Sequence, residues 1–89
     1  MNWKVSISDQ AQRELQKLDR QDRELILTYL ETRIEGCSNP RLFGEALKQN
    51  LSGYWRYRIG KYRILCELAD EIVMVYVIKI EHRRSVYLK

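Results

Sequence analysis

Residues 54–68, YWRYRIGKYRILCEL, alternate apolar and polar side chains with a period of two on either side of Gly60-Lys61. A two-residue loop that begins with glycine fits a type II′ turn, whose twist suits two antiparallel strands, so this stretch is constrained to a tight β-hairpin. The loop length also fixes the register: Ile59 faces Tyr62, Arg58 faces Arg63, Tyr57 faces Ile64 and Arg56 faces Leu65. One face then collects Tyr57, Ile59, Tyr62 and Ile64, and the other collects Arg56, Arg58 and Arg63. Like charges directly opposite across two strands are unfavourable by some tenths of a kcal/mol up to ~1 kcal/mol. Folding therefore gives no reason to set Arg58 against Arg63, whereas a bound polyanion does.

The remaining chain supplies what the hairpin packs against. WKVSI alternates Trp3, Val5 and Ile7 with Lys4 and Ser6 and predicts a half-buried first strand. Ser8 or Asp9 can cap a short helix carrying Ala11, Leu15 and Leu18, and Asp19 can cap a second with Leu25, Ile26, Tyr29, Leu30 and Ile34, stopped by Gly36. CSNPRLFGEALKQNLSG has the only proline and no sustained period, which predicts a connecting loop with one helical turn at residues 43–47. After a turn at Ala69-Asp70, EIVMVYVIKI is apolar on both faces, with Ile72, Met74, Tyr76, Ile78 and Ile80 on one and Val73, Val75 and Val77 on the other. A strand of that kind belongs inside its sheet. The expected fold is α+β: an N-terminal strand, a helical hairpin, then a three-stranded antiparallel meander, making a four-stranded sheet with the helices on one face.

At 89 residues the chain is read as one domain spanning residues 1–89. No apolar run reaches the ~18 residues of a membrane span, and MNWKVSISDQ lacks a signal-like apolar block, so a cytoplasmic protein without a membrane partner is expected. Cys37 and Cys66 show neither a paired metal-binding spacing nor a disulfide framework, so both are expected reduced, Cys66 in the core, with no metal and no other cofactor.

The net charge of +4 is unevenly placed. Residues 1–53 hold eight basic and eight acidic side chains, and residues 54–89 hold eight basic against four acidic. The excess therefore coincides with the hairpin and with a second cluster, His82, Arg83, Arg84 and Tyr87 in HRRSVY, delivered at the end of the last strand. An isolated surface arginine usually does nothing special, but three on one hairpin face suit phosphate oxygens, which guanidinium forks bind in pairs. Histidine titrates near neutrality, which makes His82 a candidate for proton transfer, against the commoner structural role of a lone histidine. Tyr87 can stack on a base, donate a phenolic proton or pack the C-terminus.

LKQNLSGYWRYRIGKYRILCEL followed by EIVMVYVIKIEHRRSVY resembles the RelE toxin family of bacterial and archaeal type II toxin–antitoxin systems, within the wider RelE/ParE superfamily. The resemblance covers nearly the whole chain. It implies a metal-independent mRNA interferase, an endoribonuclease that enters the ribosomal A site, cleaves the exposed codon by attack of the RNA 2′-hydroxyl on the adjacent phosphate, and so inhibits translation. Carried over residue by residue, the catalytic set is Arg56, Arg58, Arg63, Arg83 and Tyr87, with Lys61, His82 and Arg84 as substrate-binding neighbours. The implied partners are a RelB-like antitoxin, the ribosome with its mRNA, and operator DNA reached only through the antitoxin. One departure matters: well-studied members carry lysines where this chain has Arg56 and Arg58, and arginine does not give up its proton. The three arginines are then expected to bind the phosphate and stabilise its transition state rather than act as a base. Two other readings compete, a ParE-like inhibitor of DNA gyrase and a non-catalytic nucleic-acid-binding module.

Overall fold

A computed structural model of the chain describes residues 2–48, 50 and 53–82. The order of elements is β1 (Lys4–Ile7), α1 (Asp9–Lys17), α2 (Arg20–Tyr29), β2 (Glu45–Ala46), β3 (Tyr54–Ile59), β4 (Tyr62–Ala69) and β5 (Met74–His82). Of the two candidates for the first cap it is Ser8 that serves, and Asp19 caps the second helix as expected. Ser8 Oγ accepts from the Ala11 amide at 3.0 Å and Asp19 Oδ1 from the Asp22 amide at 2.9 Å, satisfying amides that a helix start leaves unpaired. The second helix ends in a wider turn, Leu30–Ile34, which buries Leu30 and Ile34 before Gly36 reverses the chain with φ +81°.

The hairpin register is the one expected, from Ile59 opposite Tyr62 through Arg58 opposite Arg63 to Arg56 opposite Leu65. Gly60 has φ +58°, while Lys61 keeps a negative φ, as a type II′ turn requires. The meander β3–β4–β5 is also present, and β1 lies parallel to β5, giving the order β1-β5-β4-β3-β2.

Two expectations about the sheet need correction. It has five strands instead of four, because Glu45 and Ala46 lie in the segment expected to form a loop with a helical turn, and they pair with Arg56 and Trp55. What holds this segment extended is contact with β3. Trp55 Nε1 donates to the Phe43 carbonyl at 2.7 Å and the Tyr57 hydroxyl to the Pro40 carbonyl at 2.9 Å. Between them Gly44, at φ +75°, passes so close that a Cβ would collide with the Arg56 carbonyl oxygen and the Trp55 indole.

The second correction concerns β5. Leu65 pairs with Lys79 but Cys66 pairs with Val77, so Ile78 is an extra residue, a β-bulge that exchanges the faces of the strand. Ile80 therefore joins Val75 and Val77 beneath the helices, not Met74 and Tyr76 on the other side. Beyond the end of β1 the exposed edge of β5 is closed by side chains: Ser8 Oγ donates to the Ile78 carbonyl at 2.9 Å, and Glu14 Oε1 accepts from the Ile80 amide at 2.7 Å.

The core is one layer between helices and sheet, formed by Trp3, Ala11, Leu15, Ile26, Leu30, Ile34, Tyr57, Ile59, Tyr62, Ile64, Cys66, Val75, Val77 and Ile80. Cys66 is fully buried, as expected, and burial pushes its thiol up to about 12. Among the described residues no helix is long and apolar enough to cross a membrane. Both helices pack on one face, and among the described residues no helix lies on the other face of the sheet.

Candidate functional site: an arginine face on the open side of the sheet

Cross-strand partners share a face, so register alone composes the open side. Across β3, β4 and β5 the rows run Arg58, Arg63, Glu81, then Arg56, Leu65, Lys79, then Tyr54, Glu67, Tyr76. The bulge at Ile78 is what turns Lys79 and Glu81 toward the arginines, where they pair with each other at 3.8 Å. The structure thus brings Arg56, Arg58 and Arg63 together as expected and adds Lys79, which the unbroken apolar run around it had concealed.

The three arginines are held differently. Arg63, on the central strand between Arg58 and Glu81, is only 8% exposed. Burial limits how far its guanidinium can move. Arg58 has 58% of its side chain exposed and Arg56 has 21%. Both reach a single oxygen, Glu45 Oε1, at 3.0 Å from Arg58 Nε and 2.9 Å from Arg56 Nη2. Arg56 Nε is buried with no hydrogen-bond partner among the described residues. A buried donor without a partner is uncommon in folded proteins.

Glu45 is the residue that sequence reasoning missed. It stands opposite Arg56 on β2, and the hydrogen bond from Arg56, with further pull from Arg58, holds its carboxyl below the usual carboxylate range. The carboxylate is ionised at neutral pH and fixes the spacing of two guanidinium groups.

Of the other expected site residues, Lys61 sits exposed in the turn next to Arg63. His82 pairs with Tyr62 and lies on the helix side, its ring edge-on to the Tyr62 ring at 5.1 Å, so it is not brought to the arginine face. Tyr62 in turn donates to Asp22 Oδ2 at 2.8 Å, and burial together with that bond pushes its phenol up to about 12. Arg83, Arg84 and Tyr87 lie outside the described residues. A cleft of about 200 Å3 lined by Arg41, Ala46, Gly53, Tyr54, Trp55 and Leu68 opens at the far end of the sheet from Arg58 and Arg63. None of Arg56, Arg58 and Arg63 lines it, and Tyr54 is the residue it shares with their face.

Residues 5–87 match the family model described as the ParE toxin of type II toxin–antitoxin systems, parDE. The chain belongs to this family. It is 28% identical over 88 residues to toxin RelG of Mycobacterium tuberculosis, covering 98% of each chain. Among solved structures it resembles the toxin–antitoxin complex RelBE2 of the same organism, with TM-score 0.84 and 25% identity over 93% of this chain and 100% of that one. A free E. coli RelE mutant matches in fold, with TM-score 0.75 and 21% identity over 99% of this chain and 90% of that one. RelE and RelB also form the complex solved from Pyrococcus horikoshii, TM-score 0.66 and 23% identity over 93% of this chain and 97% of that one. The expected identification as a type II toxin of the RelE/ParE superfamily therefore stands, and the arginine face is a feature of a toxin.

Proposed function

We propose that this toxin is a ribosome-dependent endoribonuclease that cuts mRNA at the codon in the A site, and that the open sheet face is its active site. The observation that carries the reading is Arg58 set against a nearly buried Arg63, with Arg56 beside them tied to Arg58 through Glu45. That arrangement opposes folding slightly and suits a phosphate that gains negative charge as it reacts.

In the step itself the ribose 2′-oxygen bonds to the adjacent phosphorus and the bond to the 5′-oxygen breaks, leaving a 2′,3′-cyclic phosphate and a 5′-hydroxyl. Arg56, Arg58 and Arg63 stabilise the dianionic transition state. A proton must leave the 2′-hydroxyl, and none of the three arginines can take it. Glu45 touches two of the groups that would hold the phosphate, and it is ionised, so we assign the proton to Glu45. Substrate charge between the arginines offsets their pull on the carboxylate and raises its basicity on binding. Arg83 offsets charge on the leaving 5′-oxygen, which takes its proton from water, and Tyr87 stacks on or orients the target nucleotide. Lys61 and Arg84 contact the phosphates on either side. His82, on the helix side, takes no part in proton transfer. The positive charge that the reaction needs comes from side chains, without a metal.

A RelB-like antitoxin that covers this face would silence the enzyme, as suggested by the toxin–antitoxin complexes of its relatives. The test is to identify the ends of mRNA fragments produced on ribosomes. Cyclic phosphate and 5′-hydroxyl ends that disappear with Glu45→Gln support the mechanism. Fragments bearing 5′-phosphates overturn it, and intact mRNA with inhibited gyrase supercoiling turns the case to the ParE-like reading.

A further inference from the structure

The third row of the open face, Tyr54, Glu67 and Tyr76, has no part in the chemistry above. Tyr54 is paired with Glu67 and Glu67 with Tyr76, so a carboxylate stands between two aromatic rings on the same side as the arginines. Tyr76 is 37% exposed on a strand whose neighbours Val75 and Val77 are fully buried, and Glu67 is exposed as well. No core contact accounts for placing a large ring there. The row lies four residues along β3 from Arg58, about 13 Å at the rise of an extended strand, with Arg56 and Lys79 in the row between. Cations followed by exposed aromatics along one groove are how proteins hold single-stranded nucleic acid, charges following the backbone and rings stacking on bases.

Glu67 adds selectivity. An anion repels phosphate but accepts hydrogen bonds from an exocyclic amino group, which cytosine, adenine and guanine carry and uracil lacks. We propose that Tyr54, Glu67 and Tyr76 form a base-reading subsite, which stacks a nucleotide a short way along the strand from the cleaved phosphate and favours an amino-bearing base over uracil. This deepens the proposed function and rests on its claim that the open face binds RNA, not on cleavage.

The experiment measures binding of fluorescent 2′-O-methyl hexacytidylate and hexauridylate, which cannot be cut, to the toxin across a range of salt concentrations. The wild type is expected to prefer the cytidine oligomer. Tyr76→Ser and Tyr54→Leu should each weaken binding of both oligomers about tenfold, within the range for loss of one stacked base, without changing the salt slope. Tyr76→Phe and Tyr54→Phe should bind as the wild type, which separates stacking from any role of the hydroxyls. Glu67→Gln should narrow the preference for cytidine, whereas Arg58→Ala should lower the salt slope by about 0.7, the share of one phosphate on a single strand. Thermal melting of each variant shows that it is folded. Equal binding of the two oligomers by the wild type, or unchanged affinity in both Tyr76→Ser and Tyr54→Leu, overturns the subsite. Preferential cytidine binding lost in Glu67→Gln upholds it even where ribosome assays show no cleavage, an outcome that would sink the proposed function alone.

Discussion

Arg58→Ala is expected to separate the proposed function from folding. In the folded chain Arg58 faces Arg63 across the hairpin, a like-charge pairing that costs some tenths of a kcal/mol up to ~1 kcal/mol. Against this, Arg58 gains one ion pair to Glu45 in which its own side chain is 58% exposed and its partner 44%, a geometry that solvent and salt screen heavily. The two contributions nearly cancel, and removal of the side chain leaves little cavity because most of it already meets water. For a domain of this size 1 kcal/mol moves Tm by about 4–8 °C, so Arg58→Ala is expected to melt within that interval of the parent, and at low ionic strength slightly above it. Loss of one preorganised charge donor at a transition state typically lowers kcat by about 10²–10³, and that is the expected fall in mRNA cleavage. Differential scanning fluorimetry and single-turnover cleavage on ribosomes measure the two effects on the same preparation. A Tm lowered by much more than 8 °C would show that Arg58 holds the hairpin together, and the inference from its unfavourable pairing would be wrong.

Gly44→Ala should strike the site from a distance. Alanine in the left-handed region costs roughly 1–2 kcal/mol, and its Cβ would collide with the backbone of β3, so β2 should detach, Tm should fall, and activity should fall with it through displacement of Glu45. Tyr57→Phe removes the fully buried hydroxyl bonded to the Pro40 carbonyl and should cost about 1–3 kcal/mol in chemical denaturation. At high pH the Tyr62 phenol, pushed up to about 12, stabilises the fold fully below the unfolded value near 10 and loses that contribution as pH rises through 12. Phenolate absorbance should therefore appear late and together with unfolding, and an early, independent titration of this group, identified by its loss in Tyr62→Phe, would contradict the burial argument. Because Arg56 and Arg58 depress the titration of Glu45 in the free protein, kcat/KM should persist on acidification below the range of an ordinary glutamate, whereas kcat, which reports the complex, should fall at higher pH.

How much of this the sequence showed depended on local punctuation. Gly60-Lys61 fixed a turn of known length, and every register partner in the hairpin followed from it. Asp19 was legible as a cap and the first cap was narrowed to Ser8 or Asp9, because capping chemistry is carried by one side chain at one position; the structure selects Ser8. The strand β2 was not, since two residues show no periodicity and Glu45 and Ala46 are extended only because Trp55, Tyr57 and Gly44 bind that segment to β3. With β2 went Glu45, the carboxylate between the arginines. The bulge at Ile78 escaped for a different reason: in VMVYVIKI an apolar residue follows whichever phase is chosen, so nothing marks the change of face that brings Lys79 to the site and sends His82 to the helices.

The central claim, that the arginine face cuts mRNA on the ribosome, is tested most directly with purified toxin and ribosomes carrying a defined mRNA and an empty A site. Breaks are mapped by primer extension beside a folded Arg58→Ala control. Cuts confined to the A-site codon, and lost in the control, are the predicted result. Intact mRNA, or equal cutting by wild type and control, would contradict it.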